Sequence, residues 1–139
     1  MKVKAIALLM MVGLAVAAAS AQSTQPMNFR TPFVFAVGDQ LLPAGAYTVE
    51  VLSVTGVLSF RSADGKVTVL VNSLPLQKTQ FADRYKLVFH RYGSHYFASE
   101  IWAPGYRTGR MLMPYPSEQQ MAKAGEPQHV SLYMEAPGK

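Results

Sequence analysis

Two histidines five residues apart, His90 and His95, have types and spacing that could do chemistry. They flank Gly93-Ser94, which places Gly where a type II′ hairpin turn wants it. On such a hairpin both imidazoles fall on one face, diagonal across the closed end. Imidazole ligates zinc and copper, so the two rings could share an ion. A protein metal site takes three or four ligands. The same-face neighbours here are Tyr92 and Phe97, and His129 joins only if the last strand packs alongside. The competing expectation is a pair of hydrogen-bonding surface histidines.

A second constellation is the run from Trp102 to Tyr115. It holds Trp102, Tyr106, Arg107, Arg110 and Tyr115 among Pro104, Gly105 and Gly109. Flat rings beside guanidinium groups grip glycans, anionic envelope polymers or other proteins. The plainer expectation is a loop whose rings cap the core and whose arginines are solvated.

Other chemistry has less support. Met111, Met113 and Met121 are soft enough for cuprous ion, but methionine is also an adaptable core filler, the reading preferred here. Glu50 and Glu100 sit on predicted strands, yet nothing in the spacing brings them to the fixed separation that paired carboxylates need. Ser94 and His95 are strand neighbours and point to opposite faces. A Gly-x-Ser-x-Gly elbow, a phosphate-binding glycine loop and a dinucleotide fingerprint are all absent from the sequence.

Short strands must position these side chains. Asn28–Val37 alternates Phe29, Phe33, Phe35 and Val37, with Pro32 marking an edge or a bulge. Leu42-Pro43-Ala44-Gly45 reads as a type I turn, followed by Tyr47, Val49 and Val51 on one strand face. Asp64-Gly65 reads as a type I′ turn whose two-residue loop pairs Ser62 with Val67, Phe60 with Val69 and Leu58 with Val71. The second hairpin, Arg84–Trp102, pairs Arg91 with Tyr96, Phe89 with Ala98, Lys86 with Ile101 and Tyr85 with Trp102. Ala103–Pro116 is looser. Ser117 to Gln120 resembles a capping box for a short helix that Gly125 and Pro127 end. A last strand, Gln128–Glu135, puts Val130, Leu132 and Met134 on one face. Seven or eight strands and one short helix make an all-β domain, an antiparallel β-sandwich or a partly open barrel.

The head of the chain indicates where it works. Lys2 and Lys4 precede an uncharged, mostly apolar run, Ala5–Ala18, and Ala19-Ser20-Ala21 fits signal-peptidase cleavage. Residues 1–21 are therefore expected to be a cleaved signal peptide, 22–27 a flexible lead-in and 28–139 one β-domain. Removing 21 of 139 residues leaves 118; two of the 13 basic residues leave with them and all 8 acidic ones stay, for a net charge of +3. That charge is thin for nucleic acid, which is not expected as a partner. The chain is cysteine-free, so disulfides and lipid attachment through cysteine are excluded. The mature part has no apolar run of the roughly 20 residues a spanning helix needs.

The stretches PFVFAVGDQLLPAGAYTVEV and KLVFHRYGSHYFASEIW resemble a group of small exported β-rich proteins of soil bacteria with no assigned activity. The likeness spans roughly Asn28 to Trp102. It implies export and a compact β-domain, and brings no catalytic residue or cofactor. The expected function is a non-enzymatic binding or structural domain, periplasmic or extracellular, without a cofactor. The alternative is a metal-binding protein or metal-dependent enzyme using His90 and His95 with zinc or copper.

Overall fold

Pro32 has no backbone donor, and the first alternating run changes course there. The computed structural model describes residues 26–52, 56–79, 82–104 and 108–135. The expected signal peptide and positions 22–25 of the lead-in lie outside them. Met27, by contrast, opens a strand and is buried.

In chain order the strands are β1 (Met27–Thr31), β2 (Phe35–Val37), β3 (Gln40–Leu42), β4 (Gly45–Val51) and β5 (Val57–Ser62). They continue with β6 (Thr68–Gln77), β7 (Lys86–Tyr92), β8 (His95–Trp102) and β9 (Thr108–Leu112). Helix α1 (Pro116–Ala122) precedes β10 (Gln128–Tyr133). Among the described residues the protein is all-β with one short helix, and ten strands exceed the expected seven or eight. One addition comes at Pro32, where the expected single strand divides. β1 pairs with β4, while β2 pairs with β3 and β8. Another is β9, inside the stretch expected to be irregular. Among the described residues, no helix is long and apolar enough to cross a membrane.

The strand path runs β1-β4-β5-β6-β9-β8-β2-β3, and β7 lies between β8 and β10. Among the described residues, the strand pairings are antiparallel except that of β2 with β8. Strand β6 is long enough to serve both halves: Thr68–Asn72 pairs with β5 and Ser73–Gln77 with β9. β1 meets the chain just past β10 at an isolated bridge, where Asn28 and Glu135 exchange backbone bonds of 2.8 and 2.9 Å. The mixed sheet does not close into a barrel. In the core, Phe35 meets Phe29, Tyr47 and Phe89 edge-on at 5.1 to 6.0 Å between ring centroids.

The first hairpin has the expected register, including Phe60 with Val69 and Leu58 with Val71. Its turn is not type I′. That turn requires two positive φ angles, and only Gly65, at φ 75°, has one. The Gly65 N–H donates to the Ser62 carbonyl, and the Ala63 N–H turns aside to the Ala46 carbonyl on β4. Asp64 Oδ1 accepts from Ser62 Oγ at 2.7 Å and the Lys66 N–H at 2.9 Å. Side-chain bonds thus support a longer loop without moving the strand pairing.

In the second hairpin the expected register holds from Tyr92–His95 through Phe89–Ala98, and then shifts. A β-bulge at Ser99 sets Val88 against Glu100, Leu87 against Ile101 and Lys86 against Trp102. The expected pairs Lys86–Ile101 and Tyr85–Trp102 are therefore displaced by one residue. The extra residue also resets the faces. Ala98 and Ile101 both enter the core, leaving Ser99 and Glu100 consecutive on the outer side.

Candidate functional site

The outer face of β7, β8 and β10 carries a polar group centred on His90. β10 runs antiparallel to β7 and sets His129 directly opposite His90, with ring centroids 4.9 Å apart. The Ser99 bulge supplies a hydroxyl 3.0 Å from His90 Nε2. From the far side, α1 supplies Glu118, whose Oε2 is 2.8 Å from His90 Nδ1.

The helix can deliver this carboxylate because of where it starts. Tyr115 is the N-cap and Pro116 the first helical residue, without a side-chain cap bond. The expected cap at Ser117 is thus two residues late. Proline needs no backbone donor in the first turn and its fixed φ suits helix entry, so it displaces the Ser117 start. Glu118 then falls in the first turn, buried against the sheet. Its Oε2 also accepts from the Tyr92 hydroxyl at 3.2 Å. Desolvation, then the Glu118 charge and this hydrogen bond, raise the Tyr92 pKa above its ordinary value.

The Glu118 contact places a proton on one His90 nitrogen. A carboxylate only accepts, so Nδ1 carries the proton and donates to Glu118. Nε2 shares a 3.0 Å hydrogen bond with the Ser99 hydroxyl. The chain Ser99–His90–Glu118 has the connectivity of nucleophile, base and orienting carboxylate in acyl transfer. Access argues against that use: Ser99 is 4 % exposed and lies in the body of a strand. Sequence reasoning missed both Ser99 and Glu118, since neither a bulge nor the docking of a seven-residue helix has a local signal.

Glu100 lies beside this group. Its Oε1 accepts from Trp102 Nε1 at 2.8 Å and faces Lys78 Nζ at 3.2 Å. One potential ligand atom each from His90, Glu100 and His129 lie within 4.8 Å of one another. The condition set by the sequence for His129 is therefore met, because the last strand packs against β7. His95 is exposed at the hairpin end opposite Tyr92 and is not part of this group.

The aromatic and basic residues after β8 are placed differently. Trp102 is 1 % exposed, with Lys78 Nζ 4.4 Å above its ring. Arg110 donates through Nε to Ser73 Oγ and through Nη2 to the Ser73 carbonyl, both at 2.8 Å. Tyr115 packs against the core. These three therefore serve internal contacts, and Tyr106 and Arg107 lie outside the described residues. Met111 is half-buried opposite Glu100 and Leu74, Met113 is exposed, and Met121 is half-buried on α1. Glu50 pairs across β4–β5, in the other half of the sheet from Glu100.

Fold and site together describe an all-β domain with a hydrogen-bonded polar centre on its outer face, partly covered by one helix. Comparisons with protein-family models, curated proteins and solved structures find no match.

Proposed function

We propose that the chain is an exported, non-enzymatic binding or structural domain of the cell envelope or extracellular space. The basic head, apolar run and Ala19-Ser20-Ala21 support export. The observation carrying the non-enzymatic reading is the Ser99–His90–Glu118 chain, built from side chains that hold the fold. Its serine is 4 % exposed and its carboxylate anchors α1 to β7. A nucleophilic hydroxyl must meet a substrate carbonyl, which this burial disfavours. The network instead presents His90 as a rigid, half-open polar group on the outer face. Glycans, envelope polymers and envelope proteins are the partner classes suited to such an address. The metal reading is favoured by one further observation, the placement of His129 against His90.

Two measurements test the proposal. Protein recovered from envelope or culture fractions should begin at Gln22, within a residue or two. A cytoplasmic pool retaining Lys2 would overturn export. A fluorophosphonate probe, which traps activated serines, should leave the protein unlabelled. Labelling at Ser99, lost in His90→Ala, would make it an enzyme.

A further inference from the structure

The geometry points to a binding site for one zinc ion formed by His90, His129 and Glu100. This deepens the binding reading by naming the ligand's chemistry, and it rests on the outer face being the binding centre.

The donor set is two imidazoles and a carboxylate, a combination that zinc accepts with a fourth position left for water. Each residue has one atom it can offer an ion. The Nδ1–H of His90 donates to Glu118, which leaves Nε2, 3.0 Å from the Ser99 hydroxyl, as the ring atom an ion would take. A metal-ligating histidine ordinarily donates its other N–H to such a carboxylate, which fixes the ring and increases its basicity. Trp102 and Lys78 occupy Glu100 Oε1, which leaves Oε2 for an ion. His129 is exposed on β10, so its ring is free to turn and gives the ion a way in.

Distance sets the required adjustment. Tetrahedral zinc with bonds of about 2.0 to 2.1 Å separates neighbouring donor atoms by about 3.4 Å. One potential ligand atom of each residue lies within 4.8 Å of the others here, so side-chain rotation, led by His129, must close the remaining gap. Two contacts yield as it closes. The Ser99 hydroxyl rotates off Nε2, and the Lys78 ammonium, already a cation beside Glu100, moves away on a side chain that is 45 % exposed. Lys78 therefore competes with zinc for the same carboxylate. Removing its charge should strengthen binding, a direction that a merely structural cluster would not produce.

The test is calorimetric titration of zinc into the untagged mature chain, with elemental analysis beforehand. The expected result is one zinc per chain, with a raised Tm on binding. His129→Ala, at an exposed position, should fold normally by circular dichroism and bind at least about tenfold more weakly. Glu118→Gln should weaken zinc by about 10- to 100-fold, the usual effect of losing a carboxylate behind a ligand histidine. Lys78→Gln should tighten it, and His95→Ala should leave it unchanged. Absence of stoichiometric binding, or undiminished binding in folded His129→Ala, overturns the site. Loss in His95→Ala with retention in His129→Ala overturns this ligand set in favour of the hairpin pair. A chain that starts at Gln22 and binds no zinc refutes this site alone, whereas Lys2-bearing cytoplasmic protein refutes export alone.

Discussion

Phe60 and Arg61 are adjacent in the chain and face opposite sides of β5. Phe60 is fully buried against Phe29, and Arg61 is exposed opposite Thr68. Phe60→Ala should cost about 3 to 5 kcal/mol, the range for emptying a buried aromatic site. Arg61→Ala should stay within about 0.5 kcal/mol. Gly65→Val should also destabilise, since a β-branched side chain resists φ 75°. Urea melts of the three variants check the face assignment, and an Arg61→Ala loss as large as that of Phe60→Ala would contradict it. Tyr92 gives a pH prediction of definite sign. Its pKa is raised in the fold, so the native state retains the proton more tightly than the unfolded chain. Its contribution is fully present below about pH 10 and is lost as pH rises through the folded value. Wild type should therefore lose stability above pH 10 more steeply than Tyr92→Phe. Equal slopes in alkaline melts would remove Tyr92 from that role.

At the scale of elements, one inserted residue has the widest effect. The β8 bulge turns Glu100 and Trp102 to the outer side and Ile101 into the core. Perfect alternation through Ser99 would send Trp102 inward with its indole N–H and bring Glu100 with it. The bulge instead lets those two groups bond to each other. Helix α1 offers a sharper test, because its start has two competing assignments. A true Ser N-cap loses about 1 kcal/mol on change to alanine. Ser117 is inside the first turn, after a Tyr115 cap without a side-chain bond. Ser117→Ala should therefore change stability by less than about 0.5 kcal/mol. A thermal melt showing the full loss would return the cap to Ser117.

Over the whole molecule, residues far apart in the chain converge on His90, from Lys78 on one side of it to His129 on the other. The same convergence holds for the core, where β1 is bridged to Glu135 and β2 lies against β8. Much of the architecture was nevertheless legible without it. The all-β class followed from two-residue alternation broken by glycine and proline, and the first hairpin's register followed from Asp64-Gly65 between matched apolar positions. The Val130, Leu132 and Met134 face was equally local, and these residues pack on or within the core. Each of these depends on neighbours within a few residues, whose sterics and polarity act the same way in any fold. The candidate site was only half visible. His90 could be singled out by type, but His95 looked the nearer partner because it is close in sequence. Choosing His129 instead required β10 to pair with β7, and enlisting Glu118 required α1 to dock on the outer face. No local propensity encodes those choices. They are made by how the strands together bury their aromatic residues, and the polar groups on the outer face then bond to whatever that packing brings within reach.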